Sequence, residues 1–264
     1  MIRSALVSIT FRKLSPAEIV GLVKQAGLDG VEWGGDIHVP HGDLSQAGEV
    51  RRMTEDAGLQ VSAYGTYYRV GHEEPCPFER IVETAVALGA PDIRVWAGKQ
   101  GSEASDAVYR DRVIDTSRRI ADLAADAGVT VAYEFHGNTL TDTNASARQL
   151  LEEVAHDNIR SYWQPPRGAT VDYCLEGLKA IRPWLLHVHA FTWRERKERG
   201  GPAERLPLAE GKAAWARYLQ EVASVGYDCF AELEFVRDDA PEQFLQDAAT
   251  LLEWLSVANA ERGA

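Results

Sequence analysis

"DAGVTVAYEF", residues 126–135, passes from a polar helix tail through Gly128 into a β-branched apolar run that ends at Glu134, with His136 just beyond. A glycine there suits the residue after a helix C-terminus, where positive φ is favoured, and the run behind it has the composition of a buried strand. The pattern recurs in "QAGLDGVEW" (25–33), "DAGLQVSAY" (56–64), "ALGAPDIRVW" (87–96) and "SVGYDCFAELEF" (224–235). Gly27, Gly58, Gly89 and Gly128 are each separated by roughly one strand–helix unit, and the stretch from Gly128 to Gly226 has room for about three. "IRSYWQ" (159–164) and "LLHVHAF" (185–191) fill that stretch and "ALVSI" (5–9) precedes the first unit, which gives eight strands.

Amphipathic stretches lie between the strands. One is predicted to run from Ser15 as N-cap and Pro16 as first helical residue to Ala26, and a longer one from about Ser105 to Ala127. Strands this apolar, alternating with helices, imply a parallel sheet covered by helices, and eight units imply closure into a (β/α)8 TIM barrel of class α/β. A doubly wound open sheet is the runner-up, but no GxGxxG follows the first strand and no GxxxxGK[ST] occurs. The longest irregular piece, Thr192 to Glu210, follows the seventh strand, is rich in charge, Gly and Pro, and is a candidate lid.

At 264 residues and 45% hydrophobic content the chain can bury one large core, so one barrel domain spanning 1–264 is the expectation. A formal net charge of −12 provides no broad electrostatic grip on phosphate backbones, which disfavours a nucleic-acid partner. No window approaches 18 uninterrupted apolar residues, and the start "MIRSALVSITFRKL" carries no secretory h-region, so no membrane partner is expected. Cys76, Cys174 and Cys229 form no CxxC pair, which fits a cytoplasmic protein. Helix packing between barrels leaves a homo-oligomer open.

In such barrels chemistry sits where the strands end, because the βα loops form one open face. Strands five to eight finish on Glu134, Gln164, His189 and Glu234, four oxygen or nitrogen donors at similar height. Period-two alternation puts each on one face with a residue two earlier, so inward-pointing faces would make the four converge. Two carboxylates, an imidazole and an amide oxygen suit one divalent cation, Mn²⁺ or Mg²⁺ first, with Co²⁺ and Zn²⁺ as further candidates. His187 and Glu232 lie one layer deeper, as supports. Taken singly each donor has a plainer explanation: a strand-end Glu commonly pairs with an arginine, and Arg94 and Arg160 are the candidates. The coincidence across four strands favours a cation. Trp96 and Trp193, with Trp33 and Trp163, fall near strand ends, where flat apolar faces could meet the C–H side of a sugar. His38, Lys99, His136 and Arg167 are loop groups able to hydrogen-bond hydroxyls.

At these residues the chain resembles the xylose isomerase-like TIM barrel superfamily, the sugar phosphate isomerases/epimerases, from "GLDGVEWGGDIH" through "YEFHGNTLTDT" and "HVHAFTW" to "PLAEGKAAW" and "FAELEF". The resemblance implies metal ligands from strands five to eight as Glu, Asp, His and Glu, which fall by position on Glu134, Gln164, His189 and Glu234. Gln164 replaces the family's Asp, Arg167 stands where a His often follows, and Leu140 stands where ketose epimerases carry a further Glu. With Gln in place of Asp, two carboxylates and a divalent cation sum to zero charge, which makes the cation more electrophilic and less tightly held.

The expected activity is metal-dependent isomerisation or epimerisation of a sugar by proton transfer through an enediolate, with Glu134 and Glu234 as acid/base pair as well as ligands, and His136 on a substrate hydroxyl. A dehydratase or lyase acting on a keto-sugar or keto-inositol shares the first step. A phosphodiesterase like the endonuclease IV branch lacks its additional ligands here. A non-catalytic sugar-binding or partner subunit is the alternative of another class.

Overall fold

The computed structural model describes residues 1–195 and 203–262. In chain order the elements are β1 (Ile2–Val7), α1 (Pro16–Ala26), β2 (Gly30–Gly34), α2 (Leu44–Asp56), β3 (Gln60–Arg69), α3 (Phe78–Leu88), β4 (Asp92–Trp96), α4 (Ala107–Asp126) and β5 (Thr130–Tyr133). They continue with α5 (Asn144–Val154), β6 (Ile159–Trp163), α6 (Val171–Ile181), β7 (Leu185–Ala190), β8 (Thr192–Arg194), β9 (Glu204–Leu206), α7 (Lys212–Ala223), β10 (Cys229–Leu233) and α8 (Pro241–Arg262).

Eight strands close a barrel in the order β1-β10-β7-β6-β5-β4-β3-β2, all pairings parallel, with β1 meeting β10 from Ile2 opposite Cys229 to Leu6 opposite Leu233. The barrel is therefore the (β/α)8 fold expected from the glycine-punctuated repeat. Local chemistry sets the helix ends. Ser15 accepts from the Glu18 amide and Glu18 reaches back to the Ser15 amide, with Pro16 inside, so α1 starts where a capping box places it. Gly27 and Gly89 close α1 and α3 at φ 72° and 74°, the left-handed region a side chain would oppose.

Alternation divides each strand between two environments. Val31, Ile93, Val131, Trp163, Val188 and Leu233 point outward into the apolar layer under the helices. Burial of aliphatic side chains of this size stabilises by about 1.5–3 kcal/mol each, so this layer dominates the fold's stability. The lumen is largely polar, as contacts between strands that do not neighbour each other show. Glu32 on β2 reaches Arg94 on β4, Ser62 on β3 donates to Glu232 on β10 at 2.6 Å, and Tyr162 on β6 donates to Asp92 on β4 at 2.6 Å.

Two boundaries differ from the sequence expectation. The first strand begins at Ile2 because Met1 O accepts from the Cys229 amide, and that ladder draws the chain start into the barrel. In the candidate lid, Thr192–Arg194 and Glu204–Leu206 pair as an antiparallel ribbon. Residues 196–202 of that stretch lie outside the described residues.

Candidate active site at the barrel mouth

The site is built in layers up the lumen. At the bottom, Asp92 accepts from Tyr162 and lies 3.2 Å from His187 Nε2, while His187 Nδ1 accepts from the Phe230 amide at 3.0 Å. An Nδ1 that accepts a backbone N–H carries no proton, so His187 is the neutral Nε2–H tautomer and supports the layer above it.

The middle layer holds Glu32, Arg94, His189 and Glu232, all buried. Arg94 donates through Nε to Glu32 Oε1 at 2.9 Å, with Nη2 2.8 Å from the same oxygen, and through Nη1 to Glu134 Oε2. Burial alone would raise both carboxyls, but the guanidinium outweighs it and holds Glu32 and Glu134 below the ordinary carboxylate range. Gly65 makes this approach feasible: a Cβ there would collide with the Glu32 carboxylate and lie 2.8 Å from Arg94 Nη2.

Glu134, Gln164 and Glu234 form the upper layer, just past β5, β6 and β10. Gln164 Nε2 donates to the Phe135 carbonyl at 2.9 Å and to Glu134 Oε1 at 3.1 Å, which turns Oε1 towards His189 Nδ1 at 3.2 Å. Glu234 Oε2 lies 3.3 Å from the same nitrogen. The four donors expected from the strand ends therefore converge. On the far side of the ring, His189 Nε2 lies 3.4 Å from Glu32 Oε2 and 3.6 Å from Glu232 Oε2. Burial disfavours a charged imidazole, yet Glu234 and Glu32 more than offset it and raise His189 well above its usual range. Burial, with Glu32 nearby, pushes Glu232 up to about 8.

Two donor sets could hold a cation. Glu32, His189 and Glu232 form a buried group whose ligand atoms lie within 4.8 Å of one another. The mouth set shares His189 through its other nitrogen. A cation with bonds of about 2.0–2.1 Å at right angles places neighbouring ligand atoms about 3 Å apart, close to the 3.2 and 3.3 Å from His189 Nδ1 to Gln164 and Glu234. Glu234 Oε2 is buried and has His189 Nδ1 as its one close partner. Gln164, His189 and Glu234 are thus spaced as neighbouring ligands of a divalent ion, whereas Glu134, whose oxygens already accept from Arg94, Trp96 and Gln164, joins no three-residue group of ligand spacing among the described residues.

Above these donors opens a cavity of about 640 Å³, a size suited to a small organic substrate, with Glu134, Glu234, Arg94, Trp96 and His136 in its wall. Trp96 donates to Glu134 Oε2 at 2.6 Å and stacks on His136 with centroids 4.1 Å apart. Trp96 and His136 thus reach the cavity as expected from the sequence. The other expected substrate contacts do not line it. His38 is buried, with Nδ1 2.9 Å from Ser8 Oγ, so the polarity of its loop serves the β1–β2 junction. Lys99 is exposed, and its amide donates to Tyr109. Arg167 is exposed and paired with Glu195 at 2.7 Å. Trp193 sits behind Phe235, 4.8 Å between centroids, and Phe235 takes the wall position. Arg160 turns outward to the Pro183 carbonyl, so Arg94 is the arginine that meets Glu134. Sequence reasoning missed Glu32 and the central role of Arg94; opposite charges in "GVEW" and "DIRVW", each inside an apolar strand, are the signal for a buried pair.

The profile of the xylose isomerase-like TIM barrel family matches residues 20–256. The chain belongs to that family. A curated relative, 3-dehydroshikimate dehydratase of Bacillus anthracis, is 26% identical over 269 aligned residues, covering 90% of this chain and 92% of the relative. The crystal structure of the probable 3-DHS dehydratase AsbF of B. anthracis superposes with a TM-score of 0.80 at 23% identity, over 95% of this chain and 99% of that one. An L-ribulose 3-epimerase superposes at 0.75 with 15% identity, over 99% and 97%. Proteins named for two reaction types thus share this fold. Among the described residues no helix is long and apolar enough to cross a membrane.

Proposed function

We propose that the protein is a divalent-cation-dependent lyase that removes water from a polyhydroxylated ketone, with 3-dehydroshikimate the first substrate to test. The observation that carries this reading is the inequality of the two mouth carboxylates. Glu134 has both oxygens engaged, Oε2 by Arg94 and Trp96 and Oε1 by Gln164, and a carboxylate held this way is a weak base. Glu234 is bound only through Oε2, 3.3 Å from His189 Nδ1, and its Oε1 has no hydrogen-bond or ion-pair partner among the described residues while the side chain lines the cavity. Inverting a carbon centre calls for a base on one face and an acid on the other, whereas elimination on one face needs a single mobile carboxylate. Glu234 takes the proton α to the carbonyl, the β C–O bond breaks, and the protonated Glu234 returns that proton to the departing hydroxyl, so water leaves and the carboxylate is restored. Gln164, His189 and Glu234, with Glu134 alongside, would hold the cation, which would supply Lewis acidity towards a substrate carbonyl. Trp96 and His136 form a flat wall against which a ring can lie. Similarity to the dehydratase over nine-tenths of the chain supports the same choice.

The test is incubation in D₂O with Mn²⁺ or Mg²⁺ and a panel holding 3-dehydroshikimate, a keto-inositol and several ketoses. Loss of water from 3-dehydroshikimate yields a dihydroxybenzoate after tautomerisation, visible by ultraviolet absorbance and NMR. Glu234→Gln should lower kcat/KM by about 10²–10⁴-fold with the circular dichroism spectrum unchanged. Epimerised ketose with deuterium beside the carbonyl and no dehydrated product would replace this reading with the epimerase one.

A further inference from the structure

The turn after β1, Ser8–Phe11, runs along the cavity on the side away from the strand-five and strand-six donors, and Thr10, Arg12 and Lys13 face the cavity from it. The other cations of this wall already have carboxylate partners. Arg12 pairs with Asp36 at 2.5 Å, Arg94 with Glu32 and Glu134, and Arg205 with Asp239 at 2.5 Å. Lys13 has no ion-pair or hydrogen-bond partner among the described residues. Three residues earlier, Thr10 is 6% exposed, and its Oγ1 is buried with no hydrogen-bond partner, although Thr10 contributes to the same wall. An uncompensated ammonium and an unpaired hydroxyl three residues apart are complementary to one ligand feature, an anion that accepts one charge-assisted and one neutral hydrogen bond.

The need for such a feature follows from the rest of the site. A protein of net charge −12 with four carboxylates in the cavity wall, Glu134, Glu234, Asp238 and Asp239, repels an anionic substrate, and a fixed cation at the far wall offsets that repulsion and orients the molecule. We infer that Lys13 and Thr10 form a carboxylate subsite, so that the substrate is a hydroxylated keto acid whose carboxylate rests on the β1 turn while its carbonyl faces Glu134, Gln164, His189 and Glu234. This rests on the lyase reading for the reaction and adds the acid group and its receptor. Lys13 acts by binding, so its loss should appear in KM more than in kcat.

A binding assay separates this inference from the reaction itself. Equilibrium titration of the protein as purified would compare 3,4-dihydroxybenzoate with its primary amide, two ligands that differ only in the anionic group. Wild type should prefer the acid by tenfold or more, with the preference falling as salt rises. Lys13→Met should remove the preference, Lys13→Arg should retain most of it, and the isosteric Thr10→Val should reduce it severalfold. Lys13 is exposed and unpaired, so its variants should keep the wild-type melting temperature. A wild-type protein that binds acid and amide equally, or a Lys13→Met variant that keeps the preference, overturns the subsite even if the protein dehydrates a ketone. Displacement of the acid by inorganic phosphate at lower concentration than by acetate overturns its assignment to a carboxylate. A clear preference in a protein that turns over nothing in the panel upholds the subsite and rejects the lyase.

Discussion

Arg94→Gln separates the stability of the buried cluster from its capacity for a cation. Arg94 is 1% exposed and is the shared partner of Glu32 and Glu134. Removing one member of a buried ion pair costs about 3–5 kcal/mol because the remaining charge is stranded. Two carboxylates lose their partner here while Glu32 keeps His189 Nε2 at 3.4 Å, so the upper part of that range, about 4–5 kcal/mol, applies. For a domain of this size each kcal/mol lowers the melting temperature by about 2–4 °C, which predicts a fall of about 8–20 °C in protein treated with chelator. The same substitution leaves Trp96 Nε1 as the one remaining donor to Glu134 Oε2 and removes a positive charge that opposes a nearby divalent ion by several kcal/mol at an effective dielectric constant of about 20. Mn²⁺ present at about 100 times its dissociation constant adds about 2.7 kcal/mol of stability, and the variant should reach that ratio at lower Mn²⁺ than wild type. The assay is differential scanning calorimetry of both proteins across a Mn²⁺ series and in EDTA. A chelated variant that melts within about 3 °C of wild type refutes the stability argument. A Mn²⁺-induced rise no larger than that of wild type refutes the placement of the cation beside Glu134.

Three further outcomes follow from the same geometry. Gln164→Asp replaces the amide that donates to Glu134 Oε1 at 3.1 Å with a carboxylate one methylene shorter, so the chelated protein should melt lower and bind Mn²⁺ at least about tenfold more tightly by calorimetric titration; unchanged affinity would exclude position 164 from the ligands. Glu232, pushed up to about 8, keeps a proton when folded that the unfolded chain releases near 4.5, so in chelated protein stability declines as pH rises between these values, by up to about 1.4 kcal/mol per unit. His189, raised above its ordinary 6.5, adds to the decline above that pH, whereas Glu32 and Glu134, held low, contribute fully above about pH 5. Urea unfolding of Glu232→Gln should therefore show a flatter decline from pH 5 to 8, and a slope equal to wild type would count against the buried proton. Gly65→Ala should destabilise by about 1–3 kcal/mol, since its Cβ meets Glu32 and Arg94, and a neutral result would mean the pair can shift.

By itself the sequence determined the barrel, since glycine-terminated helices followed by apolar strands leave few other ways to bury both faces of a parallel sheet. It also determined the height of the site, because Glu134, Gln164, His189 and Glu234 stand at the ends of four successive barrel strands, and alternation turns them inward together. Arg94 was legible only as a candidate partner. Whether it meets Glu134 or Glu32, or bridges both, depends on side-chain reach across the lumen and on the room that Gly65 leaves, distances that no one-dimensional pattern encodes. The fates of His38, Lys99, Arg167 and Trp193 were equally illegible. Loop residues close in sequence to the strand ends can turn to Ser8, to solvent, to Glu195 or behind Phe235, and only the packing of the loops chooses among these. Tertiary structure alone therefore made the two mouth carboxylates unequal, by pinning one to a guanidinium and leaving the other with a free oxygen, because burial makes each charge depend on the partners that the whole barrel brings to it.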